Sequence, residues 1–566
     1  MKFRTTAVLL GAVAAVSCAE SPSASDNLAQ SDAPIDNRAA LVEDTLPSSD
    51  LIEIGSPCEP SCAEKECGDN GCGGSCGQCA PLKICIDNKC PPPGVQCDDG
   101  NDIPWDGCTD GQVSEFQIIS TSTQQGRFVP TDAVSVDNDT YLVAIQDCPN
   151  VAELEDPNRG TGFPNPHFCE WEPESGPDSS GCGSFVVQCK VETGCNEDPI
   201  QTNHFSNGNQ YGSHLTSTSG GVLAVWTSCP LDSYPWWYPV FCEDDLQQKL
   251  APGQDGSDCG VFARQLALDG TPQSEEVQVN TAAEGYQFLV GTARLADDKL
   301  AILYYSDQAS AGNLAMRIYS PDLVPLGEEF SPGIRQDSFY GATERGMLTA
   351  LGDGNLAIVW TSSTDDSNDG AESTQVLAKL VSPSGAAVSE NILVSGLSGD
   401  GVDEPSISAT LDGGFVVLWS GAYHTANFSG DNDVYRTIRG RVFTVEGVPL
   451  GEEFVFRDTG ASCYNGPLLL SSEGMLFSIW LEYAFVGEVP NKVVWDRFRI
   501  RPFLSSFDFG TAAFDVTTFK GGRSLGLNAS PLSDGSVVAF WSWTDDEEVY
   551  AIHAQRFDRY GFRLYK

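Results

Sequence analysis

Two distant stretches, EPSISATLDGGFVVLWSG at 404–421 and LNASPLSDGSVVAFWSW at 527–543, carry the same order of polar and apolar positions. In each, a half-polar segment reaches an Asp/Gly pair and is followed by an unbroken apolar run that ends on Trp. The pattern predicts strand, tight turn, strand. ERGMLTALGDGNLAIVWTS at 344–362 repeats it, and the run ends on an anchor side chain seven times: Ile145, Trp226, Tyr304, Trp360, Trp419, Trp480 and Trp541. After each anchor comes a polar loop, then a third strand such as TIRGRVFTVEG (437–447) or IHAQRFDRYG (552–561), then a fourth such as GEEFVFRD (451–458). Four antiparallel strands repeated seven times predict an all-β chain folded as a seven-bladed β-propeller. The second strands do not alternate, as expected where neighbouring blades cover both faces of a sheet. A row of separate sandwiches is the rival reading, but each unit alone buries too little.

The seventh copy ends at GFRLYK, 561–566, after its third strand and turn and with no fourth strand. The segment VSEFQIIST at 113–121, far from the other copies, has the character of that missing strand. Residues 116–120 are therefore expected to complete the last blade, so that 112–566 closes into a ring with no exposed strand edge. This arrangement resembles the circular closure of propeller proteins. The tandem units resemble repeats of exported bacterial proteins that carry a D-G-G-x-x-V-x-W signature.

The first residues, MKFRTTAVLLGAVAAVSCAE, pair a basic start with an apolar core from Ala7 to Val16 that is too short to span a bilayer. An export signal over 1–17 is expected. Ala15-Val16-Ser17-Cys18 resembles a bacterial lipobox, with Ala where Leu is usual. The resemblance implies lipid attachment at Cys18 and, because Ala19 follows it, sorting to the outer membrane or cell surface. Residues 18–57 are rich in Ser, Asp, Ala and Pro and read as a disordered tether.

A cysteine-rich module is expected over 58–111. Cys58, Cys62, Cys67, Cys72, Cys76, Cys79, Cys85 and Cys90 lie in a stretch almost devoid of large apolar residues, which must be stapled to fold. Zinc is the competing use of Cys76-Gly77-Gln78-Cys79, but an exported chain favours disulfides. CDDGNDIPWDGCTDG, from Cys97 to Gly111, resembles the myxococcal-type cysteine-rich repeat. That resemblance implies a small disulfide loop between Cys97 and Cys108, and a surface lipoprotein of the kind those bacteria carry.

Elaboration concentrates between second and third strands. The first copy inserts 147–182, with Cys148, Cys169 and Cys182; the second inserts 228–259, with Cys229, Cys242 and Cys259. Cys148 and Cys229 stand three residues past equivalent anchors, so a bridge within each insertion is expected, with the pairings open. Cys189 and Cys195 are also expected to form disulfides. The second insertion places Trp236, Trp237 and Tyr238 near Asp244 and Asp245, a mixture of rings and carboxylates that can stack on sugars and accept their hydroxyls, or anchor a protein. A local core for the insertion is the alternative use of those rings.

The formal charge of −48, from 31 basic and 79 acidic side chains, argues against nucleic acid or an anionic bilayer as partner. No organic cofactor is expected. Calcium is the ion that the acidic loops would suit, through Asp365 and Asp369 in one and Asp431 and Asp433 in another. The EF-hand spacing that begins at Asp365 fails at its twelfth position, Val376, and solvated hairpin tips are the default reading. None of the five histidines pairs in sequence with a nucleophile, so no catalytic residue is assigned. The expectation is a monomeric, non-catalytic binding or structural lipoprotein for polysaccharide or protein partners. A carbohydrate-active propeller enzyme, glycosidase or lyase in type, is the alternative.

Overall fold

The structure is a computed structural model. It describes residues 108–109, 112–113, 116–120, 126–149 except 138, 182–230 except 191–193 and 197, 253–309, 313–335, 347–364, 373–395, 402–424, 434–457, 462–463, 468–486 except 473, 493–504, 514–520, 523–544, 550–559 and 563–564. All of these belong to one compact unit, Glu59–Lys566.

Seven antiparallel sheets follow one another along the chain as the blades of a propeller. Blade 1 opens with Gly126–Ser135, blade 2 with Asn209–Thr218 and blade 3 with Gln287–Arg294. Blades 4 to 7 open with Leu348–Ala350, Val402–Ala409, Leu468–Ser472 and Arg523–Pro531. These seven first strands touch one another in that order, and Arg523–Pro531 returns to Gly126–Ser135, which makes the arrangement a closed ring.

The cores lie between blades rather than within them. Along the second strand of blade 5, Phe415, Val417 and Trp419 pack toward blades 3 and 4, whereas Val416 and Leu418 pack toward blade 6. A sheet covered on both faces has no reason to alternate, which explains the unbroken apolar runs. All seven anchors are buried, and each joins a core shared with the preceding blade; Ile145 of blade 1 meets Val538, Phe540 and Ile552 of blade 7.

The ring closes through the early segment. Phe116–Ser120 pairs with Tyr550–Phe557, with Phe116 opposite Ala554 and Ser120 opposite Ala551. Arg563–Leu564 pairs with the far end of the same strand, so the outer edge of blade 7 is built from two parts of the chain. Blade 3 departs from the four-strand expectation. It has three strands, and its outer edge is reduced to isolated bridges, Met316 with Phe330 and Tyr319 with Pro325.

A recurrent cation links blades. Two residues beyond the anchor's cross-strand partner, blades 2 to 6 carry Arg264, Arg317, Lys379, Arg441 and Arg501. Each donates to a carbonyl at the end of the preceding blade's outer edge: Thr202, Val279, Pro332, Val394 and Phe456 respectively, at 2.7 to 3.4 Å. Blade 7 has Gln555 at this position and blade 1 has Val187.

Candidate binding rim

Because strands alternate in direction, the loops after the second strands and the connectors between blades open on the same rim of the ring. The two cysteine-bearing insertions leave this rim between Pro149 and Gly183 in blade 1, and between Cys229 and Gly260 in blade 2. The acidic loops leave it between Thr364 and Ser373 in blade 4 and between His424 and Val434 in blade 5.

The foot of the second insertion is fixed by a disulfide between Cys229 and Cys259, with their Cα atoms 4.2 Å apart. Tyr211 donates its hydroxyl to Cys229 Sγ at 2.9 Å, since a disulfide sulfur has no proton to give. Burial pushes the Tyr211 hydroxyl far above its ordinary titration range, so it remains a donor. Nearby, Asp255 is half-buried, and burial raises its carboxyl above the usual range despite the N–H of Ser257 at 3.0 Å. Gly260 leaves the space for it, because a Cβ there would lie 2.8 Å from Asp255 Oδ2.

The connectors on either side share one hydrogen-bonded shape. In the connector to blade 3, Asn280 Oδ1 accepts from Val261 N at 2.8 Å, and its Nδ2 donates to Ala282 O and to Gln287 Oε1. Gln287 Nε2 donates in turn to Glu284 O at 2.9 Å. Asn203 and Gln210 make the same four bonds in the connector to blade 2, with Ser184, Phe205 and Asn207. One carboxylate secures each connector: Glu276 accepts from His204 N and from Gln254 of the insertion, and Glu329 accepts from Thr281 N, Thr281 Oγ1 and the Tyr304 hydroxyl. Peptide groups that would otherwise be left without partners are satisfied in this way, so side-chain hydrogen bonds hold the base of the rim between blades 1 and 3.

An aromatic ladder rises from this base. Phe288 packs on Cys229 and Cys259, and stacks with Tyr305 and with Tyr286, with ring centroids 6.1 Å apart in both pairs. Tyr286 is 43% exposed. Exposed Asp307 donates its N–H to Tyr286 O and accepts from Gln308 Nε2 at 3.2 Å. Burial, and then the Asp307 charge, raise the Tyr305 hydroxyl, so it stays a neutral donor at ordinary pH. Such a surface can stack and hydrogen-bond.

Several expected site residues lie outside the described residues: Cys18, Trp236, Trp237, Tyr238, Asp244, Asp245, Asp365, Asp369, Asp431 and Asp433. So do the cysteines from Cys58 to Cys97, with Cys169 and Cys242. Cys108 starts a two-residue strand that pairs with Gln112–Val113, and Cys148 lies on a strand of blade 1. The expected bridge within the second insertion is present as Cys229–Cys259, Cys182 is disulfide-bonded, and Cys189 pairs with Cys195 at the edge of blade 1. Among the described residues no group of three His, Cys, Asp or Glu is placed to hold a metal, and no helix is long and apolar enough to cross a membrane. The ladder and the two Asn/Gln brackets were not expected from sequence. The available signal was the spacing Asn203 to Gln210, repeated as Asn280 to Gln287.

No family model and no curated protein matches the chain. Among solved structures, a protein of unknown function from Dyadobacter fermentans is similar at 12% identity and a TM-score of 0.42, over 78% of this chain and 98% of that one. A Trypanosoma rangeli sialidase mutant is similar at 12% identity and a TM-score of 0.32, over 76% and 54%. An ulvan lyase of a polysaccharide lyase family is similar at 7% identity and a TM-score of 0.29, over 79% and 86%. At these levels the likeness carries no functional argument.

Proposed function

We propose that this chain is an exported lipoprotein, attached through Cys18 to the outer membrane or cell surface, whose propeller acts as a non-catalytic binding module for polysaccharide. The observation that supports this most is the asymmetry of the ring. Both long insertions leave from one rim, and the second is fastened by Cys229–Cys259 onto a base of satisfied connectors. A fastened loop loses less freedom on binding than a loose one, which favours recognition by a preformed surface. The rings of Trp236, Trp237 and Tyr238 and the carboxylates of Asp244 and Asp245 belong to that insertion and would supply stacking and hydroxyl acceptors. Calcium at Asp365, Asp369, Asp431 and Asp433 would stiffen the opposite part of the rim without entering into chemistry.

A glycan array probed with wild-type protein and with the triple variant Trp236→Ala, Trp237→Ala, Tyr238→Ala tests the reading. Signal on polysaccharides that the variant loses supports it. Equal binding by both proteins contradicts it, and release of new reducing or unsaturated ends would replace it with a carbohydrate-active enzyme. Incorporation of labelled palmitate that disappears in Cys18→Ala tests the anchor.

A further inference from the structure

We propose that the rim opposite the insertions seats the ring on a bilayer of zwitterionic head groups, through apolar side chains presented by the turns between third and fourth strands of blades 2 to 5. The inference rests on the reading of the chain as a lipoprotein, and it gives the propeller itself a second hold on the membrane.

Strand direction sets the geometry. The turns that join first to second strands, and third to fourth strands, open away from the insertions. On that rim six large apolar side chains are 48 to 57% exposed: Leu268 in blade 2, Val324 and Leu326 in blade 3, Val388 in blade 4, and Val448 and Leu450 in blade 5. Leu411, in the tight turn of blade 5, is 81% exposed. Apolar surface gathered on one rim of consecutive blades marks a contact face.

The fold does not require these side chains. Val324–Phe330 and Val448–Phe454 are the same seven residues, VPLGEEF. In both, the Leu N–H donates back to the third strand, Leu326 to Ile318 O and Leu450 to Val442 O, each at 2.9 Å. Blade 2 makes the same bond from Gln273 to Gln265 O, and its turn closes on Thr271 where blades 3 and 5 have Val324 and Val448. Thr and Gln thus satisfy the turn, so Val and Leu serve something outside it. Pro325 bridges to Tyr319 and Pro449 to Phe443, which fixes the backbone and leaves little freedom to lose on burial.

Two observations choose the occupant. Phe116–Ser120 is antiparallel to Tyr550–Phe557 and so runs toward the connectors. The chain that leads from Cys18 therefore reaches blade 7 from the side of the apolar rim, across the ring from blades 3 and 4. An anchor on that side and apolar turns opposite bring one rim to the bilayer and leave the insertions facing away. Charge is the second observation: exposed Glu328 and Glu452 follow each Leu by two residues, on a chain of formal charge −48. A second copy would set these carboxylates against their own kind, and an anionic bilayer would repel them. A zwitterionic head group offers them its cationic nitrogen.

The test is flotation of the processed chain, residues 18–566 with Cys18→Ala so that no acyl chain contributes, on vesicles of phosphatidylcholine alone or mixed with phosphatidylglycerol. The expected result is recovery with phosphatidylcholine that falls as phosphatidylglycerol is added. The variant Val324→Thr, Leu326→Gln, Val448→Thr, Leu450→Gln, which copies the residues of blade 2, should lose about tenfold or more in vesicle partitioning. The apolar exchange Val324→Ile, Leu326→Met, Val448→Ile, Leu450→Met should stay within about threefold of the parent. Equal flotation of the polar variant overturns the proposal. Loss in the apolar exchange as well also overturns it, since packing rather than apolar contact would then be at stake. Recovery that rises with phosphatidylglycerol contradicts the charge argument, and parent dimers that the polar variant dissociates, seen by light scattering, would assign the rim to a second copy instead. No flotation of the parent removes the seat alone, because the lipoprotein reading is decided separately by palmitate incorporation at Cys18.

Discussion

Arg501 of blade 6 donates through Nη1 to the carbonyl of Phe456 in blade 5 at 2.7 Å, while its guanidinium carbon lies 5.0 Å from the centroid of the Phe456 ring. Backbone and ring of one residue are thus held by one side chain of the next blade. Burial, and then the Arg499 charge, lower the arginine's affinity for its proton, but a guanidinium stays protonated in a protein, so the contact keeps its charge. Replacing Arg501 by Met keeps the stem and removes the donor. The expected loss is ~1.5–3 kcal/mol, the range for hydrogen bonds to charged groups, read as a lower urea midpoint with an unchanged slope.

Gly447 turns blade 5 from its third to its fourth strand at φ +80°, and a Cβ there would sit 2.4 Å from Ile392 Cδ1 of blade 4. Gly447→Ala therefore meets a backbone penalty of ~1–2 kcal/mol and an overlap penalty of ~1–3 kcal/mol. Adding Ile392→Val removes the overlapping methyl and should restore the second part but not the first. A double-mutant cycle in urea separates them. Blade 3 places Leu323 in its corresponding turn at φ +59°, with the side chain buried in the core between blades 2 and 3, so packing there offsets the strain.

How much of this was legible in the sequence follows the range of each signal. The anchors were legible because one large side chain ends an apolar run in nearly every copy, and the seven strand pairs could be counted from them. The partner of the last blade was legible because residues 113–121 look like GEEFVFRD. The cations were not: Arg264, Arg317, Lys379, Arg441 and Arg501 share a register only once the anchor's cross-strand partner is known, and pairing is not written in spacing. Asn203 with Gln210, and Asn280 with Gln287, lie in connectors without hydrophobic periodicity. The Tyr286, Phe288 and Tyr305 ladder joins two strands whose alignment includes a bulge between Leu289 and Gly291, so sequence alone could not bring the rings together.

His553 stacks on Trp541 with ring centroids 6.2 Å apart and stands opposite Gln117 of the closing strand. Burial depresses its pKa below the usual 6.5. The unfolded chain therefore takes up this proton first, so the stabilisation is complete above pH ~6.5 and is lost as pH falls toward the folded value. Urea midpoints should decline as pH falls below ~6.5, and His553→Phe should flatten that part of the curve. An equal decline in the variant would show that another group is responsible.

Closure of the ring by its own early strand is what gathers the loops after the second strands onto one rim. Amide hydrogen exchange of residues 116–120 measures this directly. The closed ring predicts that they are protected and exchange together with Tyr550–Phe557, in a single opening of the final blade. Exchange of 116–120 at the rate of an unstructured peptide, with Tyr550–Phe557 still protected, would contradict it.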